Sequence, residues 1–113
     1  MSFNPEEHKR LLGILMDAWV NLDATELVKH ISLDFQYDSQ WVFNSMYAEE
    51  YPSYIKGKFE TSKRTGVFPS VSLVNDTHSP GGMLKLEQQG NPPGYLRIQC
   101  SEGLICKIDM SMC

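Results

Sequence analysis

Residues 33–39 read Leu33-Asp34-Phe35-Gln36-Tyr37-Asp38-Ser39. The pattern has period two, so Leu33, Phe35, Tyr37 and Ser39 share one face and Asp34, Gln36 and Asp38 share the other. It predicts a short strand. The stretches on its two sides differ in kind, and that difference decides the fold class. Before it the apolar spacing is helical. After one more helix the spacing is that of strands to the end of the chain.

Upstream, Asn4-Pro5-Glu6-Glu7 is a helix start. Asn4 is the N-cap, Pro5 sits at the first helical position and Glu7 closes a capping box. Leu11, Leu12, Ile14, Leu15, Ala18, Trp19 and Leu22 then fall at steps of three and four, one stripe of an amphipathic helix. Asp23-Ala24-Thr25-Glu26 repeats the cap signature and predicts a second, short helix to about Ile31, with Leu27, Val28 and Ile31 inward.

Downstream, Trp41-Val42-Phe43 reads as an apolar loop. A third helix is expected over Ala48 to Arg64, with Pro52 tolerated in its first turn. Tyr51, Ile55, Phe59 and Ser62 form its inner stripe, Tyr54 lies beside it, and Thr65-Gly66 stops it. From Val67 the period is two. Val71 and Leu73, Leu84 and Leu86, then Leu96, Ile98 and Cys100, then Leu104, Cys106, Ile108 and Met110 mark four antiparallel strands. Asp76 to Gly82 reads as a turn-rich loop, Ser79-Pro80-Gly81-Gly82 included, because no helix start follows that could make it a phosphate cradle. One apolar face for the last hairpin sets Cys100 opposite Leu104 and Ile98 opposite Cys106, with Ser101-Glu102-Gly103 as the loop. Cys100 and Cys106 then lie on a diagonal roughly 7–8 Å apart, beyond normal disulfide spacing, so buried free thiols are expected.

This order is an α+β layout: three N-terminal helices packed on a strongly curved, mainly antiparallel sheet. Such a sheet leaves a cone with one open end, a natural small-molecule pocket. At 113 residues the chain reads as a single domain, residues 1–113. A net charge of −4 argues against nucleic-acid binding. There is no long apolar run to enter a membrane, and the polar opening is unlike a signal peptide, so a cytoplasmic location is expected. The three cysteines and three scattered histidines show no metal-ligand spacing, and no cofactor or metal is expected.

Trp19-Val20-Asn21-Leu22-Asp23, Leu27-Val28-Lys29-His30-Ile31 and Asp34-Phe35-Gln36-Tyr37-Asp38-Ser39 resemble the opening of the nuclear transport factor 2-like superfamily. Gly94-Tyr95-Leu96-Arg97-Ile98 and Gly103-Leu104-Ile105-Cys106-Lys107-Ile108-Asp109 resemble its final long hairpin. This superfamily includes the SnoaL-like and ketosteroid-isomerase-like proteins of cystatin-like fold. The resemblance covers nearly the whole chain and rests on pattern and order. Its members include isomerases, cyclases, dehydratases, epoxide hydrolases and non-enzymes that bind partners, so it implies a fold before a reaction.

In ketosteroid-isomerase-like members the base is an aspartate late on the first strand. Matching that strand puts Ser39 at the base position, with Asp38 adjacent and facing away. The first-helix tyrosine falls near Leu15, and the last strands carry no inward acid. By this register the steroid-isomerase machinery is absent. The remaining acid–base candidates are Asp38, and His30 with Asp34 four residues on. His30 has a second reading, as a helix-end residue bonding the last carbonyls. Tyr37, Ser39, Trp41 and Tyr54 are the ligand-contact candidates. The first three could equally fill the core near the mouth of the cone.

His8 is expected to be exposed and His78 to sit in a loop. Close packing is expected to explain Gly57 inside the third helix. The mixed outer sheet face, Tyr95, Arg97, Gln99, Ile105, Lys107 and Asp109, is a candidate homodimer surface, mainly on resemblance. Three functional readings follow. The first is a SnoaL-like pocket protein that binds, or weakly transforms, a small apolar or amphipathic molecule. The second is a non-catalytic homodimeric interaction module. The third is an isomerase or dehydratase-type lyase with an Asp or His/Asp base.

Overall fold

The computed structural model describes residues 4–40, 44–76, 79–88 and 90–112. Helix α1 spans Pro5–Asn21. Asn4 caps it as expected, its Oδ1 accepting from the Glu6 and Glu7 amides at 3.1 Å each. Leu22, in the left-handed region with φ 52°, ends it. Helix α2 is a single short turn, Thr25–Lys29. Asp23 holds its start by accepting from the Thr25 amide at 2.9 Å and the Thr25 hydroxyl at 2.6 Å. Ile31, expected inside that helix, opens strand β1 instead, Ile31–Ser39.

The two-residue strand β2, Met46–Tyr47, follows, then helix α3, Tyr51–Thr65. Four more strands complete the chain: β3 Ser70–Asp76, β4 Ser79–Glu87, β5 Gly94–Ser101 and β6 Leu104–Ser111. All six strands form one sheet in the order β2-β1-β6-β5-β4-β3. The β1–β6 pair is parallel and the others are antiparallel. Among the described residues the architecture is therefore α+β, with a mixed sheet, two long helices and one short one.

Leu11, Leu15 and Leu27 from the helices meet Phe35, Leu84, Leu96, Ile105 and Ile108 from the sheet, and Tyr51, Ile55 and Phe59 from α3 complete the core. Each such side chain, fully buried, stabilises the fold by about 1.5–3 kcal/mol relative to its exposed state. Among the described residues no helix is long and apolar enough to cross a membrane. None of their His, Cys, Asp and Glu side chains are grouped to hold a metal ion.

Where the structure departs from the expected alternation, the backbone carries an irregularity. On β1, Leu33 is fully exposed while Phe35 and Tyr37 are buried. Ile31 pairs with Ile105 and Gln36 with Lys107, so β1 spends five positions where β6 spends two. The extra backbone turns Leu33 out. On β6 the partner of Cys100 is Ile105, of Ser101 is Leu104, and of Ile98 is Ile108. The loop is thus the two residues Glu102-Gly103, both at positive φ, a turn matched to strand twist. A register shift at Gln99/Cys100 leaves Cys106 as the extra residue. Ile105 and Ile108 then both point inward, and the expected inward Cys106 does not. Cys100 and Cys106 are free, as expected, yet half-buried.

Strands β3 and β4 also run through most of the expected Asp76–Gly82 loop. His78 lies outside the described residues. Gly81 and Gly82, at φ 88° and 95°, open β4 and let its backbone approach α1. That approach buries His8, which is 4% exposed rather than solvated. Its Nε2 lies 3.2 Å from the Gly82 carbonyl. A carbonyl only accepts, so Nε2 carries the proton. One turn along, Glu7 accepts from the Gly103 amide and Arg10 donates to the Gly103 carbonyl at 3.3 Å. The start of α1 is thus pinned at two points, on β4 and on the β5–β6 turn.

A Cβ on Gly81 would stand 2.5 Å from His8 Cδ2, at a φ that L residues rarely adopt. Gly81→Ala should cost at least about 2 kcal/mol in urea unfolding, from left-handed strain plus the clash. In a His8→Ala background the cost should shrink to the strain alone. Equal costs in both backgrounds would show that the ring contact contributes nothing.

Candidate functional site

Helix α3 buries the stripe Tyr51, Ile55, Phe59 and Ser62. A second stripe runs beside it, Tyr54, Lys58, Thr61 and Thr65, at steps of three and four. This stripe forms one wall of a cavity of about 790 Å³. Trp19 near the end of α1 and Val67 after α3 also line it. The opposite wall is Leu86, Gln88, Asn91, Pro92, Gly94 and Met110, where β4, β5 and β6 converge.

Trp19 sets its ring edge-on to Phe59, with centroids 5.0 Å apart and planes at 80°. This geometry suits the ring quadrupoles. The indole Nε1–H is buried and has no hydrogen-bond partner among the described residues. A buried donor left unmade costs about 1–3 kcal/mol. Gly57 sits in the same wall, and a Cβ there would meet nothing within 4 Å. The close packing expected at Gly57 is absent. The glycine faces open cavity.

Behind Tyr54 lies an aromatic cluster. Tyr37 stacks on Tyr51 at 5.0 Å and on Tyr54 at 5.5 Å, and Phe35 on Tyr51 at 4.8 Å. The Tyr37 hydroxyl donates to Met110 Sδ at 3.6 Å, which ties the cluster to the cavity wall. Burial, then the neighbouring Tyr54, push the Tyr37 hydroxyl far above its ordinary value, and a bond to Ser39 opposes them. Burial likewise raises Tyr51. Both phenols stay protonated at neutral pH and act there as neutral groups.

Of the ligand-contact candidates, then, Tyr54 lines the cavity. Tyr37 stands behind it, 3% exposed, and Ser39 bonds Tyr37. Trp41 lies outside the described residues. Trp19, Lys58 and Met110 were not singled out from sequence. Trp19 and Met110 read as core stripe residues. The second α3 stripe was the available signal.

The acid–base candidates stand elsewhere. His30 Nδ1 bonds the Glu26 carbonyl at 2.7 Å, the helix-end reading. Asp34 accepts from the Ser32 hydroxyl at 2.6 Å. His30 and Asp34 make no hydrogen bond or ion pair with each other, so the sequence spacing does not yield a pair. Asp38 points to the outer face of the sheet, away from Tyr37. It accepts from the Ser45 hydroxyl and from Gln36 Nε2 at 3.0 Å, and Lys107 Nζ is 3.5 Å away. The Ser45 bond first, with help from Gln36 and Lys107, holds its carboxyl below the usual range. Such a carboxylate is a weak proton acceptor. Burial pushes the Cys100 thiol up to about 11, so it is scarcely ionised at neutral pH and a poor nucleophile.

With this geometry in hand, solved structures supply the comparison. A SnoaL-like protein of unknown function from Burkholderia thailandensis matches over 97% of this chain and 98% of its own, at 9% identity and a TM-score of 0.72. An NTF2-like protein of unknown function from Cytophaga hutchinsonii matches over 98% and 91%, at 9% identity and a TM-score of 0.65. An LEH-like epoxide hydrolase of M. tuberculosis matches over 93% and 81%, at 12% identity and a TM-score of 0.65. The fold is that of the nuclear transport factor 2-like superfamily. No protein-family model matches the sequence, and no curated protein does either. At these identities the likeness shows the nuclear transport factor 2-like fold alone, and activity must be argued from the cavity.

The outer face gives a test of its own. Asp38 and Asp109 stand opposite each other on β1 and β6, with Lys107 between them at 3.5 and 3.8 Å. Burial, opposed by Lys107, raises the Asp109 carboxyl, whereas Asp38 is lowered. The linkage signs are therefore opposite. The Asp38 charge stabilises the fold above the ordinary aspartate range, and that contribution is lost as pH falls through its lowered value. For Asp109 the protonated form is favoured on folding, and that contribution is lost as pH rises through its raised value. Asp38→Asn should destabilise at neutral pH, with the deficit closing in acid. Asp109→Asn should be neutral or stabilising at neutral pH. Unfolding curves from acid to neutral pH check both.

Proposed function

We propose that the chain binds a small apolar or amphipathic molecule in the cavity between α3 and the ends of β4, β5 and β6. The observation that carries this reading is the cavity itself, about 790 Å³, with Trp19, Tyr54, Leu86 and Met110 on its walls. Gly57 supports it. Glycine inside a helix costs about 0.5–1 kcal/mol relative to alanine, and no packing contact at this position requires it. Its contribution is the space it leaves. The cavity also has the usual make-up of a ligand site, with aromatic and aliphatic walls and a few polar groups.

The acid–base reading has less behind it. Asp38 sits on the far face of the sheet in a charge-stabilised state, and His30 is engaged by its own helix. The homodimer expected on resemblance would use the outer sheet face. There Tyr95, Arg97, Lys107 and Asp109 stand half-buried in the single chain. Sedimentation equilibrium across a range of concentrations tests it, and monomer throughout removes it.

Gly57 gives the test of binding. Gly57→Ala should raise stability by about 0.5–1 kcal/mol and leave the cavity usable. Gly57→Phe should fold equally well and obstruct the cavity. Ligand-observed NMR with a set of small apolar and amphipathic compounds should find binders of the wild-type chain and of Gly57→Ala that Gly57→Phe has lost. Binders that persist in Gly57→Phe, or none at all, would sink this reading.

A further inference from the structure

Polarity inside the cavity is one-sided. Among its described lining residues Lys58 is the one charged side chain, and none carries a carboxylate. Lys58 forms no ion pair with any described residue. Its Nζ lies 5.7 Å from the Tyr54 ring centroid, a cation–π contact that holds the ammonium on the cavity wall.

Two hydroxyl hydrogens of the same wall are already spent. Thr61 donates to the Gly57 carbonyl at 3.0 Å and Thr65 to the Thr61 carbonyl at 2.8 Å. What the cavity offers a ligand is therefore a cation, neutral polar groups from Tyr54, Gln88 and Asn91, and apolar surface from Leu86, Met110 and Val67.

A cationic ligand would meet Lys58 with no carboxylate in the described lining to offset the repulsion. A purely apolar ligand would leave the Lys58 ammonium without a counter-charge. We infer that the molecule bound here is an organic acid: an apolar body carrying one carboxylate, or an equivalent acceptor-bearing anion, which Lys58 selects. The inference deepens the binding reading above and rests on it.

Three probes sharing one ring system separate the possibilities: 2-naphthoate, 2-naphthamide and 2-naphthylmethylammonium, titrated calorimetrically into the whole chain. Lys58 is exposed, so the charge preference is modest and salt-sensitive. The naphthoate should bind about fivefold more tightly than the amide, and the ammonium most weakly. Added salt should narrow the difference. Lys58→Gln, an exposed helix position that folding tolerates, should abolish the preference, and Lys58→Arg should keep it. Gly57→Phe should abolish binding of all three, which locates them in the cavity.

Equal affinities, or a preference that survives Lys58→Gln, would overturn the organic-acid inference while binding itself stood. No binding of any probe to the wild-type chain would remove the inference together with the reading beneath it.

Discussion

Strand β1 has to enter the sheet parallel to β6, and the position of everything around the cavity depends on that pairing. The register sets Tyr37 beside Ile108 and Ser39 beside Met110. It thereby puts the Tyr37 hydroxyl on Met110 and its ring under Tyr51 and Tyr54. Those contacts seat α3. Once α3 is seated on Phe35 and Tyr37, its neighbouring stripe cannot also reach the core. Tyr54, Lys58, Thr61 and Thr65 are left facing the ends of β4 and β5 across open space. The cavity follows from how a helix with one apolar stripe must dock on a twisted sheet whose far strands curve away.

The helices were legible in the sequence because their signals are local and redundant. Asn4, Pro5 and the Leu11–Trp19 stripe all point to one helix, and Tyr51, Ile55, Phe59 and Ser62 to another. The strands were legible as strands, while the facing of individual residues failed wherever a backbone irregularity intervened. An extra residue inverts the alternation downstream of it, and nothing in the pattern of side chains announces it. Leu33 and Cys106 were both assigned to the inner face for this reason. Leu33 looks apolar and in phase, yet the wide gap between the Ile31 and Gln36 pairings sets it in solvent. His8 failed in a related way. Its position on α1 predicts exposure, and only the approach of Gly81 and Gly82, distant in sequence, covers it.

The site was less legible than the fold. Tyr54 was identifiable as an aromatic beside the buried stripe. Trp19 satisfied the core pattern so well that its N–H raised no question until the surroundings could be searched for an acceptor. Gly57 was visible as an anomaly, and its usual explanation, close packing, was the reasonable expectation. The structure replaces that contact with empty space. The His30–Asp34 spacing illustrates the opposite error. Four residues look close in sequence, but the chain passes from a helix end into a strand between them, and each side chain satisfies itself locally.

Charge is segregated by the sheet, and this bears on what the cavity can do. The outer face gathers Asp38, Lys107 and Asp109, where solvent and mutual pairing moderate their cost. The cavity side holds phenols that burial keeps protonated, and one lysine. A group that removes a proton from a ligand needs a free lone pair of suitable basicity near neutral pH. The Asp38 carboxylate lies across the sheet with its charge already stabilised, so none of these described groups meets that need. Lys58 can stabilise negative charge, which is the capacity of a site that recognises an acid. In such a site affinity is governed by how well the donors are desolvated and aligned. For that reason the rigidity of α3 on the Tyr37–Tyr51 stack matters more to this cavity than any single polar contact within it.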